Sequence, residues 1–279
     1  MEATIQSNIR TKYIFKSMLF CIVFTGIFVA FSYTKNFFPY NFERLSHGII
    51  GTLAAFLTTA LFLKFDGKRF SDIGLTFKQN TVGKFFAGVM IGIAIMGLLA
   101  TGVMYFTNTG IEVHPRSTFF NFVLMTLPLV PLAFMEEAGF RAYPFEILKD
   151  KVGIRLSIIM TSIFFAVYHI ANGWTIGSSF YGPGVWGLVF GLAAVYSKGI
   201  AMSTGIHYAA NLTTSAFGAA NNTVSLWTIK QSHSATAKHG EIDWATILPS
   251  LALLIFAILC IELYLRGKLP LTAHWQKQN

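Results

Sequence analysis

Glu136 and Glu137 stand together at the end of an apolar run, and Arg141 follows four residues after the second. Two later apolar segments each carry a histidine: FAVYH at 165–169 and HYAAN at 207–211. Ionisable groups at membrane depth are costly, so in a chain this apolar they mark a functional site by default. Their types suit amide hydrolysis. A carboxylate in low-dielectric surroundings holds its proton to higher pH, towards values that serve a general base. Such a base takes a proton from water, and histidine orients that water or protonates the leaving amine. Carboxamide and imidazole N–H groups donate to a developing oxyanion.

Each group has a plainer reading. Glu137 and Arg141 are four residues apart with the acid first, the favoured order for a helical ion pair. A boundary salt bridge accounts for those two but leaves Glu136 over, because adjacent helix positions project about 100° apart. His169 lies one turn after Phe165, near a helix end, where a satisfied polar residue is common. His207 and Asn211 share one helical face, which would also suit interhelical hydrogen bonding. No serine or cysteine sits in a nucleophile motif, and the H-E-x-x-H zinc motif is absent. No cofactor is expected. A divalent metal such as zinc, held by His169, His207 and a glutamate, stays open because zinc accepts that mix of nitrogen and oxygen ligands.

The elements that must position these groups are membrane helices. Of 279 residues, 54% are hydrophobic and only 12% charged, which excludes an ordinary soluble domain. The spacing predicts eight spans, at 17–33, 45–63, 82–107, 119–135, 154–170, 182–196, 200–217 and 244–265. The chain reads as a single integral membrane domain, 1–279, with its motif-bearing core at about 119–217. The first span, behind Arg10, Lys12 and Lys16, reads as uncleaved rather than as a signal peptide. With the N-terminus inside, 16 of the 21 basic residues fall on the cytoplasmic side and 5 on the other, a positive-inside bias that fixes the parity. The net charge of +9 therefore reports orientation, and no nucleic-acid partner is expected. Both termini are expected in the cytoplasm, in a membrane such as the bacterial plasma membrane. The lipid bilayer and a membrane-associated peptide or protein are the expected partners.

Local signals refine the picture. Pro128 and Pro131 predict a kink in the fourth span just before the glutamates. Residues 142–150 read as an amphipathic interfacial helix. Gly88 with Gly92, and Gly187 with Gly191, read as close helix contacts. Residues 218–243, with Asn221, Asn222, Ser232 and Ser234, read as an exposed loop. Cys21 and Cys260 form no disulfide or metal pattern.

EEAGFR (136–141), FAVYH and HYAAN resemble the E-E-x-x-x-R, F-x-x-x-H and H-x-x-x-N motifs of the CPBP intramembrane proteases, also called the Abi or type II CAAX endopeptidase family. The resemblance covers roughly 119–217 and departs from many members at Ala142, where they have glycine. It implies an all-α, CAAX-protease-like bundle of about eight transmembrane helices, with a catalytic cavity open to the cytoplasm. It implies that Glu136 activates water with help from His169, that His207 and Asn211 stabilise the oxyanion, and that Glu137 and Arg141 shape the site. The function implied is an intramembrane endopeptidase; a non-catalytic scaffold or a bacteriocin self-immunity protein is the alternative within the family. A proton-coupled transporter would use the same residue types, but the chain has no inverted repeat or paired broken helices.

Overall fold

The computed structural model describes residues 2–39, 42–107, 109–114, 118–218, 225–230 and 244–275. Long apolar runs become helices because only intrasegment hydrogen bonding satisfies the backbone in lipid. In chain order these are α1 (Glu2–Ser32), α2 (Glu43–Asp66), α3 (Thr81–Thr107), α4 (Phe119–Thr126), α5 (Leu129–Glu137), α6 (Tyr143–Val152), α7 (Ile154–Ala171), α8 (Ile176–Ser179), α9 (Val185–Ser197), α10 (Ala201–Ala216) and α11 (Trp244–Trp275). Two short strands, β1 (Gly110–Val113) and β2 (Trp227–Lys230), pair antiparallel, with Ile111 opposite Ile229. The rest of the expected exposed loop, with Asn221, Asn222, Ser232 and Ser234, lies outside the described residues.

Seven segments among the described residues are long and apolar enough to cross a membrane; α4, α5 and α6 act as one of them, Phe119–Val152, and α8 and α9 as another, Ile176–Ser197. The protein is an integral, multi-pass, all-α membrane bundle. The eighth expected span is α10. It has 16 residues, about 24 Å at 1.5 Å per residue and short of the ~30 Å hydrocarbon core. Its sequence is polar, with Ser203, Thr204, His207 and Asn211, and it is packed among α3, α5 and α9.

The fourth span breaks where the prolines predict. Pro128 separates α4 from α5, and Thr126 turns its hydroxyl back onto the Phe122 and Val123 carbonyls. Past the glutamates the helix continues through a π-helical turn, Ala138–Ala142, into α6. The expected interfacial helix is therefore part of the bundle: Tyr143, Phe145, Ile147 and Leu148 are buried. Its polar face is confined to its end, where Lys149 pairs with Glu146.

Helix directions follow from the contacts. Phe20 meets Phe62 at 5.2 Å and Phe28 meets His47 at 4.7 Å, so α1 and α2 are antiparallel. Gly48 lies against Leu132 and Gly51 against Met135, so α2 and α5 run together. Gly88 faces Met202, Gly92 faces Ile206 and Gly205 faces Phe85, so α3 and α10 also run parallel. One end of the bundle thus gathers the Lys16–Asp66 and Arg155–Glu262 ion pairs and the Lys84 bond to the Ser197 carbonyl. The other end gathers Ser32, His47, His169, Ala216 and the two strands.

The α3–α10 seam tolerates no side chain at its glycines. A Cβ on Gly205 would stand 2.1 Å from the Phe85 carbonyl oxygen, and one on Gly88 2.2 Å from that of Met202. Both obstacles are backbone, so α10 itself must move. Gly205→Val is expected to destabilise the detergent-solubilised protein by at least about 1–3 kcal/mol, the cost of overpacking. Gly97→Ala, on the open face of α3, leaves the unfolding midpoint unchanged. Thermal unfolding of both variants checks this; equal midpoints would show that the seam is loose.

Candidate active site

The site is assembled from α5, α7, α9 and α10. Glu136 and Glu137 are the last residues of α5, His207 is the seventh residue of α10, and Arg141 sits within the π turn. A π turn adds one residue to a helical turn, a feature frequent at functional sites. Glu137 and Arg141 are fully enclosed, whereas Glu136 and His207 keep a small exposed edge, 9% and 6%.

His207 joins the two acids. Its Nδ1 lies 2.9 Å from Glu137 Oε1, and its Nε2 lies 3.4 Å from Glu136 Oε2. With Nδ1–H donating to Glu137, the second nitrogen is directed at Glu136. The ring is also pinned by Phe190, stacked at 4.5 Å and 13°, and by the edge of Phe165 at 5.9 Å. A flat ring held between two aromatic walls and one carboxylate has little freedom to rotate.

Arg141 compensates Glu137 from below. Its Nη1 lies 3.5 Å from Glu137 Oε1, and Nη2 donates to the Gly187 carbonyl at 3.3 Å. The guanidinium lies 4.4 Å from the Phe165 ring centre and 5.4 Å from that of Phe190, a cation–π cradle suited to a desolvated arginine. Gly187 is required here: a Cβ would stand 2.9 Å from both Arg141 Nη2 and Ser162 Oγ. The ion pair expected from the four-residue spacing forms, but in the interior rather than at a membrane boundary.

A cavity of about 810 Å³ opens above this floor. Glu136, His169, His207 and Asn211 all line it, so three separate helices, α5, α7 and α10, deliver their polar groups to one space. His169 takes its place on the α7 side. Its Nδ1 is 2.9 Å from the Phe165 carbonyl, which as donor leaves Nε2 as acceptor, and it packs edge-on against Trp174 at 5.1 Å. It lies within electrostatic range of Glu136 and His207. On sequence Glu136 falls just past the fourth span, 119–135; in the structure that segment continues to Val152, so Glu136 lies midway along Phe119–Val152.

Several lining residues escape the motif reading. Tyr168, Trp174, Trp186 and Phe190 form an aromatic collar, and Arg44 and His47 stand at the mouth. The three-residue step from Arg44 to His47, and the four-residue step from Trp186 to Phe190, place each pair on one helical face. That periodicity was the available signal. A second cavity, about 720 Å³, lies between α2, α3, α5 and the α9–α10 turn. It is mostly apolar and no acid or imidazole lines it, so of these two cavities the candidate catalytic groups line only the first. Among the described residues no group of three His, Cys, Asp or Glu side chains is placed to hold a metal ion.

No curated protein matches the chain. The family model for type II CAAX prenyl endopeptidase Rce1-like proteins matches residues 117–213, a span that includes all six predicted site residues. Over these residues, a little over a third of its length, the chain is similar to the CPBP (Abi, type II CAAX endopeptidase) family of protease-like membrane proteins.

Proposed function

We propose that this protein is an intramembrane endopeptidase that hydrolyses a peptide bond of a membrane-associated peptide or protein. The observation that carries the proposal is the 3.4 Å approach of His207 Nε2 to Glu136 Oε2 at the floor of a cavity that His169 and Asn211 also line. In this mechanism Glu136 takes a proton from water while the water oxygen attacks the scissile carbonyl carbon. The carbonyl oxygen becomes an oxyanion, which accepts a hydrogen bond from the Asn211 amide, and a second from His207 Nε2–H when both ring nitrogens carry protons. As the C–N bond breaks, the leaving nitrogen takes its proton from Glu136, with His169 assisting. Glu137 and Arg141 fix the angle of His207 and hold the floor.

Asn211→Ala is expected to lower kcat by about 10²–10³-fold, the usual loss for one oxyanion donor, with KM little changed. Purified protein is expected to keep its activity in EDTA; full loss restored by zinc would assign the water to a metal instead. A scaffold or immunity protein keeps its cellular phenotype when Glu136 is replaced by Ala or Gln, whereas the peptidase loses it while still inserting into the membrane.

The orientation proposed is both termini in the cytoplasm of a bacterial plasma membrane. Among described side chains, Arg10, Lys12, Lys16, Lys64, Lys68, Arg69, Lys78, Lys84, Lys149, Lys151, Arg155, Lys198 and Arg266 lie at the terminus-bearing end, against Arg44 and Lys230 at the other. Arg141, counted with the cytoplasmic set on sequence, is interior and drops out of the balance.

A further inference from the structure

The rim residues of the cavity and the helix directions say at which end of the bundle it opens. Its rim is built from Ser32, the last residue of α1; Arg44, the second of α2; Trp174, just past α7; and Thr214, near the end of α10. All belong to the end of the bundle that also bears β1 and β2. Towards the opposite end the cavity is closed by the enclosed Glu137–Arg141 pair and the buried rings of Phe140, Phe165 and Phe190. The second cavity, which reaches the Lys78, Lys84 and Lys198 end, shares no lining residue with the first.

Charge assigns the ends to sides of the membrane. Lysine and arginine near span ends are retained on the cytoplasmic face, and here they crowd the end opposite the mouth. We infer that the Glu136–His207 cavity opens away from the cytoplasm, so that its substrate is a membrane-anchored peptide or protein segment presented from the non-cytoplasmic side. This reverses the cytoplasmic opening implied by family resemblance and excludes a cytosolic lipidated C-terminus as the substrate. The inference takes the peptidase reading as its basis for speaking of a substrate. The facing of the cavity stands on helix direction and charge alone.

Cysteine accessibility tests it in intact bacterial cells expressing the full chain. In a Cys21→Ala/Cys260→Ala background, Ile176→Cys and Ile111→Cys report the mouth end, where both side chains are exposed, and Lys68→Cys reports the other. Each variant is first shown to accumulate in the membrane fraction. A membrane-impermeant maleimide is expected to label Ile176→Cys and Ile111→Cys in intact cells, and Lys68→Cys only after permeabilisation. The reverse pattern overturns the inference, as does equal labelling of both ends in intact cells. The outcome is independent of catalysis. Loss of cleavage in Glu136→Gln with reversed labelling retains the peptidase and rejects the facing. Unchanged cleavage by Glu136→Gln with the expected labelling retains the facing and rejects Glu136 as the base.

Discussion

Glu136→Gln is expected to lower kcat/KM by about 10²–10⁴-fold on any peptide that the wild-type protein cleaves, the range contributed by one positioned general base. The substitution is nearly isosteric and removes only the ability to accept a proton from water. Its consequences for the fold are small because Glu136 keeps an exposed edge on the cavity and is not enclosed like its neighbour. Burial of the variant residue leaves no charge unpaired, since Arg141 is matched by Glu137. The measurement is steady-state cleavage in detergent or liposomes, alongside the unfolding midpoint. A midpoint near wild type with the rate lost assigns chemistry to Glu136. A rate near wild type removes it from the mechanism.

Arg141→Met is expected to act through stability instead. Removing one partner of a buried ion pair costs about 3–5 kcal/mol, because the other charge remains without compensation. Glu137 would then keep its hydrogen bond from His207 Nδ1 but lose the guanidinium that balances its charge. Neutralising both, in Glu137→Gln/Arg141→Met, is expected to recover part of that loss, so the two single effects do not add. Arg141→Lys does not rescue, because an ammonium cannot span Glu137 and the Gly187 carbonyl while lying flat on Phe165. Thermal unfolding of the two single variants and the double variant supplies the cycle. Strict additivity would show that the pair is not coupled.

Much of the site was legible because its residues break the rule of their surroundings. A glutamate, a histidine or an asparagine in an apolar run costs free energy unless another group answers it, so their positions marked the spans that had to meet. Periodicity then gave the His207–Asn211 face and the Glu137–Arg141 pair, and the proline pair gave the break before α5. The depth of Glu136 was not legible for a related reason. Charge was taken as the end of a span, yet Glu137 and Arg141 neutralise each other inside the bundle and the helix runs on to Val152. The same neutralisation put α6 in the core, where Tyr143 reaches Asp66 at 2.7 Å and the Pro144 carbonyl accepts from Ser17. The π turn has no simple sequence signature. The aromatic collar is hidden among 28 phenylalanines, most of which pack or face lipid. The pairing of β1 with β2 depends on strands more than 100 residues apart, a contact that local pattern cannot supply.

The most direct test compares newly formed protein termini in membranes from cells expressing the wild-type chain with those expressing Glu136→Gln at equal abundance. Mass spectrometry of terminal peptides needs no prior substrate. The predicted result is a set of cleavage sites within or beside apolar segments of membrane-anchored proteins or peptides that is present with the wild-type chain and absent with the variant. Identical terminal peptides from the two membranes, with both proteins folded and inserted, would contradict the hydrolytic site.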